Sequence, residues 1–116
     1  MDALQRRTPK ADQLSENTTL VCLATNAELD SRGARRLTIF AHDAIARTIL
    51  PAHTLGDGDV AFAIGTGTTP LEPEDSLTLG LMAVRAVERA ILNSVLFAEG
   101  RYGIPSALQW HRESRL

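Results

Sequence analysis

Cysteine and lysine occur once each, at Cys22 and Lys10, and neither sign of charge dominates the 116 residues. A lone cysteine cannot close an internal disulfide. With only His42, His53 and His111 to accompany it, there is no cysteine and histidine cluster for a structural zinc. No metal or cofactor is expected, and the composition suits a reducing, cytoplasmic compartment. Twelve Lys and Arg against fourteen Asp and Glu leave a net charge of −2, so there is no basic field to hold a nucleic-acid backbone. No window approaches the ~20 apolar residues of a membrane span, and the first ten residues lack the apolar stretch of a signal peptide. The scarcity of lysine also counts against a phosphate loop. Gly65-Thr66-Gly67-Thr68-Thr69 is rich in glycine but lacks the Gly-Lys-Ser/Thr that opens such a helix. What remains, 44% hydrophobic and 22% charged, fits one small globular domain.

Residues 1–17 are polar and without hydrophobic period, and read as a linker or arm ahead of a unit spanning 18–116. From Thr18 the chain turns β-branched and apolar through Thr25, and the absence of strict polar alternation predicts a strand covered on both faces. Asp30 or Ser31 can cap a helix whose apolar residues Ala34, Leu37, Ala41, Ile45 and Thr48 or Ile49 recur at three- and four-residue spacing. Pro51 ends it. A turn-rich loop over 52–59 leads to a second strand, Val60–Gly65, in which large and small residues alternate. Acidic Glu72, Glu74 and Asp75 introduce a long helix from about Ser76 to Glu99, closed by Gly100, with a stripe of Leu79, Met82, Ala83, Ala86, Val87, Ala90, Ile91, Ser94 and Val95. The tail after Arg101 has no long period.

The order strand, helix, strand, helix makes an α/β chain with too few strands. Sheets usually have roughly 4 to 6, and open edges invite pairing. The chain is therefore expected either to oligomerise or to form one part of a larger unit.

Candidate chemistry is sparse. His42-Asp43, with Arg47 four residues after the aspartate, reads as an exposed ion pair, and none of the histidines has a partner at ligand spacing. Cys22, mid-strand among apolar neighbours, is expected to be inert. Asn17-Thr18-Thr19 is the stronger signal. If the backbone is cut before Thr18, that residue gains a free α-amine beside its own hydroxyl, and an amine of unperturbed pKa ~7.7 to 8.0 can act as the base that activates it. Threonine is also simply a good strand residue. Asp57-Gly58-Asp59 sets two carboxylates at the mouth of the second strand, able to orient an amine or bind a cation, or to form no more than a solvated turn. A carboxylate beside the Thr18 amine would raise its pKa and oppose its use as a base.

Taken together, Asn17-Thr18-Thr19-Leu20, Ala24-Thr25-Asn26-Ala27, Arg36-Leu37, Ala41-His42-Asp43, Ala46-Arg47-Thr48-Ile49, Pro51-Ala52-His53-Thr54, Asp57-Gly58-Asp59 and Tyr102-Gly103-Ile104-Pro105-Ser106 resemble the C-terminal (β) portion of the L-aminopeptidase/D-esterase (DmpA-like) family. That family includes β-aminopeptidases and nylon-oligomer hydrolases. The resemblance implies a four-layer αββα sandwich of the DmpA/ornithine-acetyltransferase type. It also implies an N-terminal-nucleophile hydrolase cut from a precursor between Asn17 and Thr18, Thr18 being the nucleophile and Asp57 and Asp59 matching acidic site residues. The substrate would be a small peptide, amide or ester. The partner would be an α part, which in the family supplies a lysine, asparagine side chains and oxyanion donors, or further copies of this chain. The alternatives are a non-catalytic remnant or assembly module of the same fold, and an acyltransferase of the ornithine-acetyltransferase type.

Overall fold

A computed structural model describes residues 18–114. The expected linker 1–17, and with it the Asn17 side of the expected cut, lies outside the described residues. The described chain is α/β: strand β1 (Leu20–Ala27), helix α1 (Ser31–Thr48), strand β2 (Val60–Thr69), helix α2 (Ser76–Leu96) and a short helix α3 (Ala107–Glu113). The strands form a two-stranded parallel sheet in the register Leu20↔Val60 to Thr25↔Gly65, with an irregularity before Ala27↔Thr69. A parallel pair cannot be joined by a tight turn, and α1 is the crossover.

Local signals explain the helix ends. Asp30 caps α1 by accepting the Gly33 N–H, as the sequence predicts. The α2 helix stops at Leu96, short of Glu99. In the tail, where no period is apparent, Ser106 and Gln109 form a reciprocal capping box that starts α3. Seven residues are too few for a period to be read, although the Ser-x-x-Gln spacing was there.

One face of the sheet carries the core. In a parallel pair, partnered residues point to the same side, so Val21, Leu23, Ala61 and Ala63 face the helices together. They pack with Leu37, Ala41, Ala44 and Ile45 of α1 and Ala83 and Val87 of α2. Ala41, Ala44 and Ile45 have no exposed area at all. The small residues let the helices approach closely. A Cβ on Gly80 of α2 would fall within 2.3 Å of the Phe40 ring of α1, so only glycine leaves the ring its seat. Met82 and Val95, expected on the buried stripe, are more than half exposed. Arg47 pairs with Glu88 of α2 in place of Asp43, tying the two helices at their rims.

The other face is bare in this chain. Leu20 is 71% exposed, Phe62 57% and Ile64 52%, and Cys22 and Ala24 are exposed between them. The expectation of strands covered on both faces is thus met on one face only. The apolar character that predicted it is present, but nothing among the described residues covers it. The sheltered setting expected for Cys22 is likewise absent. The outer edge of β1 is open as well, and beside it α2 overhangs an apolar groove of about 550 Å³ lined by Val21, Ile49, Val87, Ala90 and Ile91. No helix among the described residues is long and apolar enough to cross a membrane.

Candidate active site

The sheet register builds the site. Because Leu20 pairs with Val60, the residues leading into the two strands are also neighbours, and Thr18-Thr19 lies beside Gly58-Asp59. The Thr19 carbonyl accepts the Val60 N–H at 3.0 Å, and the Thr19 N–H donates to Asp59 Oδ1 at 2.8 Å. Thr19 is thus held through both its backbone N–H and its backbone carbonyl. Thr18 is exposed, and its hydroxyl stands against Gly58: a Cβ built on that glycine would lie 2.9 Å from Thr18 Oγ1.

Asp59 is the best-anchored acid. Its side chain is 7% exposed, so it is not the solvated turn residue that composition allows. Burial works against its ionisation. The backbone N–H and hydroxyl of Thr19, with the neighbouring His53, more than offset that cost and hold its carboxyl below the usual range. Asp57 has a different task. Its Oδ2 accepts the Thr54 N–H at 2.7 Å and its own N–H donates to the Thr54 carbonyl at 3.1 Å, closing the loop over 54–57. The two carboxylates of the Asp-Gly-Asp run therefore have separate partners.

His53 joins the site although its spacing gives it no obvious partner. Pro51 follows the end of α1 through a cis peptide bond, and His53 sits at φ +56° in the left-handed region. There its Nδ1 lies 3.3 Å from Asp59 Oδ2, and its Nε2 lies 3.3 Å from the His42 carbonyl oxygen. The His42 and His53 rings are 5.2 Å apart and tilted by 51°. The available signal was the turn itself. Thr54-Leu55-Gly56-Asp57 reverses the chain and returns position 59 to position 53. Among the described residues no group of three or more histidine, cysteine or acidic side chains is arranged to hold a metal ion.

The arrangement is that of an α/β chain with a threonine hydroxyl at the mouth of a strand and a histidine-carboxylate pair behind it. Peptidase family S58 matches residues 2–106, and the chain belongs to that family. It is 39% identical over 102 residues to proteins named uncharacterized aminopeptidases from Mycobacterium bovis and Mycobacterium tuberculosis, and to one from Mycobacterium leprae. The matched stretch is 78% of this chain but 30% of the first two relatives and 28% of the third. The chain thus spans less than a third of the curated relatives it matches.

Proposed function

We propose that this chain is the β part of a self-processing aminopeptidase or amidohydrolase, and that Thr18, freed by cleavage after Asn17, is its nucleophile. The observation that carries the reading is the convergence of the Thr18 hydroxyl, the open α-carbon of Gly58 and the Asp59 clamp on Thr19 at one end of the sheet. In the cut protein the Thr18 α-amine removes the proton from Oγ1 as Oγ1 attacks the substrate carbonyl carbon. The same proton then passes to the leaving amine or alcohol, the C–N or C–O bond breaks, and an acyl ester remains on Thr18. Water gives a proton to the α-amine as it attacks that ester carbon, the bond to Oγ1 breaks, Oγ1 takes the proton back as a hydroxyl, and the carboxylic acid leaves. Because both Asp59 oxygens already face the Thr19 N–H and His53, the carboxylate stabilises the scaffold more than it raises the basicity of the amine. Asp57, whose Oδ2 holds the Thr54 N–H, is proposed to receive the amino group of a substrate through its other oxygen.

The family resemblance assigns donors for the charge on the tetrahedral oxygen, a lysine among them, to an α part, and the one lysine of this chain is Lys10. An α part supplying them would also cover the bare face around Phe62 and pair with the open edge of β1, giving the four-layer αββα sandwich. The aminopeptidase names of the relatives support an enzyme over a bare assembly module.

The test is N-terminal sequencing with intact mass. Removal of 17 residues from 116 leaves 99 beginning at Thr18. Thr18→Ala is expected to abolish both the cut and amide hydrolysis, while Thr18→Ser retains part of each. Full hydrolysis by the alanine variant refutes the assignment. Transfer of the acyl group to an amine acceptor in preference to water would make the protein an acyltransferase.

A further inference from the structure

The imidazole of His53 takes no part in the acyl transfer. Asp59 Oδ1 accepts the Thr19 N–H and Oδ2 lies 3.3 Å from His53 Nδ1, the Thr19 hydroxyl and the His53 backbone also stand against the carboxyl, and the far nitrogen of the ring faces the His42 carbonyl. His42 belongs to α1, a helix anchored by residues with no exposed area, Ala41, Ala44 and Ile45. The ring thus spans from the best-packed helix to the carboxylate that clamps the start of β1. It does so from a left-handed backbone, φ +56°, which histidine adopts more readily than most side chains but which is still strained. Such a conformation persists where surrounding contacts determine it, and here those contacts are Asp59 on one side and α1 on the other.

We infer that His53 is a positioning residue: with Nδ1 against Asp59 Oδ2 it holds that carboxylate, and so fixes the Thr19 N–H and the direction in which Thr18 presents its hydroxyl. A carboxylate held at one oxygen can still rotate about its own side-chain torsions. Held at both oxygens, it has one orientation, and the peptide plane between Thr18 and Thr19 inherits it. His53 touches no substrate in this role. Its catalytic consequence rests on the reading of Thr18 as nucleophile; its geometric consequence, on Thr19, does not.

Two substitutions separate the role from loop maintenance. Glycine accepts the left-handed backbone and removes the ring, whereas asparagine accepts the same backbone and keeps an N–H donor near the position of Nδ1. In the assembled enzyme His53→Gly is expected to lower kcat on the order of 10- to 100-fold with KM nearly unchanged, the cost of a displacement approaching 1 Å at the reacting atom. His53→Asn should restore most of that loss. In threonine-labelled protein the Thr19 amide proton, shifted downfield by the carboxylate, should move upfield and exchange faster in the glycine variant and return toward its parental position in the asparagine variant. An unmoved Thr19 resonance in His53→Gly overturns the inference whatever the rate does, and so does equal loss in both variants. Parental kcat despite a moved resonance also overturns it, provided Thr18→Ala is inactive. If Thr18→Ala is active, the nucleophile reading has failed and the Thr19 resonance alone decides the role of His53.

Discussion

Gly58→Ala tests the placement of the Thr18 hydroxyl with a single methyl group. The new Cβ would stand 2.9 Å from Oγ1 and 3.9 Å from Thr18 Cβ and Cγ2. An ordinary carbon–oxygen contact is about 3.3 Å or longer. The hydroxyl must therefore retreat by about 0.4 Å or rotate into another staggered well. A 1 Å error in the reacting geometry costs on the order of 100-fold, so a proportionate retreat costs about sixfold and a rotation on the order of 100-fold or more. The fold should hardly notice. Gly58 is not one of the left-handed glycines, which are Gly67 and Gly103, and alanine at a compatible glycine position stabilises by about 0.4–1 kcal/mol through the unfolded chain. The assay is kcat and KM on an amide substrate for the proposed complex of the cut chain with an α part, beside a thermal melt followed by circular dichroism. A parental kcat with an unchanged melt would mean that Oγ1 does not stand at the reacting position.

Asp59→Asn should lower stability at neutral pH by about 1.5–3 kcal/mol, the range for hydrogen bonds to a charged group. Because the folded carboxyl is held below its ordinary value, its contribution is complete above about pH 3.9 and is lost as the pH falls through the lower folded pKa. Acid unfolding curves that coincide for parent and variant would remove that argument. Ile45→Ala, at a fully buried position between the sheet and α2, is expected to cost about 2–5 kcal/mol in urea unfolding, and a loss under 1 kcal/mol would show that the core lies elsewhere. Without an α part the chain should self-associate in the ultracentrifuge through its bare sheet face. Phe62→Glu, replacing a side chain that is 57% exposed here, should weaken the complex with an α part by about 1.5–3 kcal/mol. Unaltered affinity would place the partner on another surface.

The two strands and the two long helices were legible because their signals are local. The β-branched run after Thr18, the Asp30 cap, Pro51 and the small-residue stripe of α2 each act within a few residues. The bare sheet face was not legible. An apolar residue looks the same whether its cover comes from its own chain or from another, so Phe62 and Ile64 read as buried strand positions and emerge more than half exposed. Thr18 and Asp59 were named from sequence, and their proximity follows from a parallel register that no single residue encodes. Arg47 shows the same limit. Its spacing from Asp43 favoured a pair within one helix, while the packing of α1 on α2 offered Glu88. His53 was read without a partner because that partner lies six residues away across a turn, and only the closed loop over 54–57 brings them together.

The central claim is that Thr18 Oγ1 forms the acyl bond. The most direct measurement is peptide mapping by mass spectrometry after the processed protein reacts with a β-lactone electrophile, which leaves an ester on an attacking hydroxyl. The adduct is expected on the N-terminal peptide that begins at Thr18, at one per chain, and to be absent in Thr18→Ala. Modification of a different residue accompanied by full loss of hydrolysis, with Thr18 untouched, would contradict it.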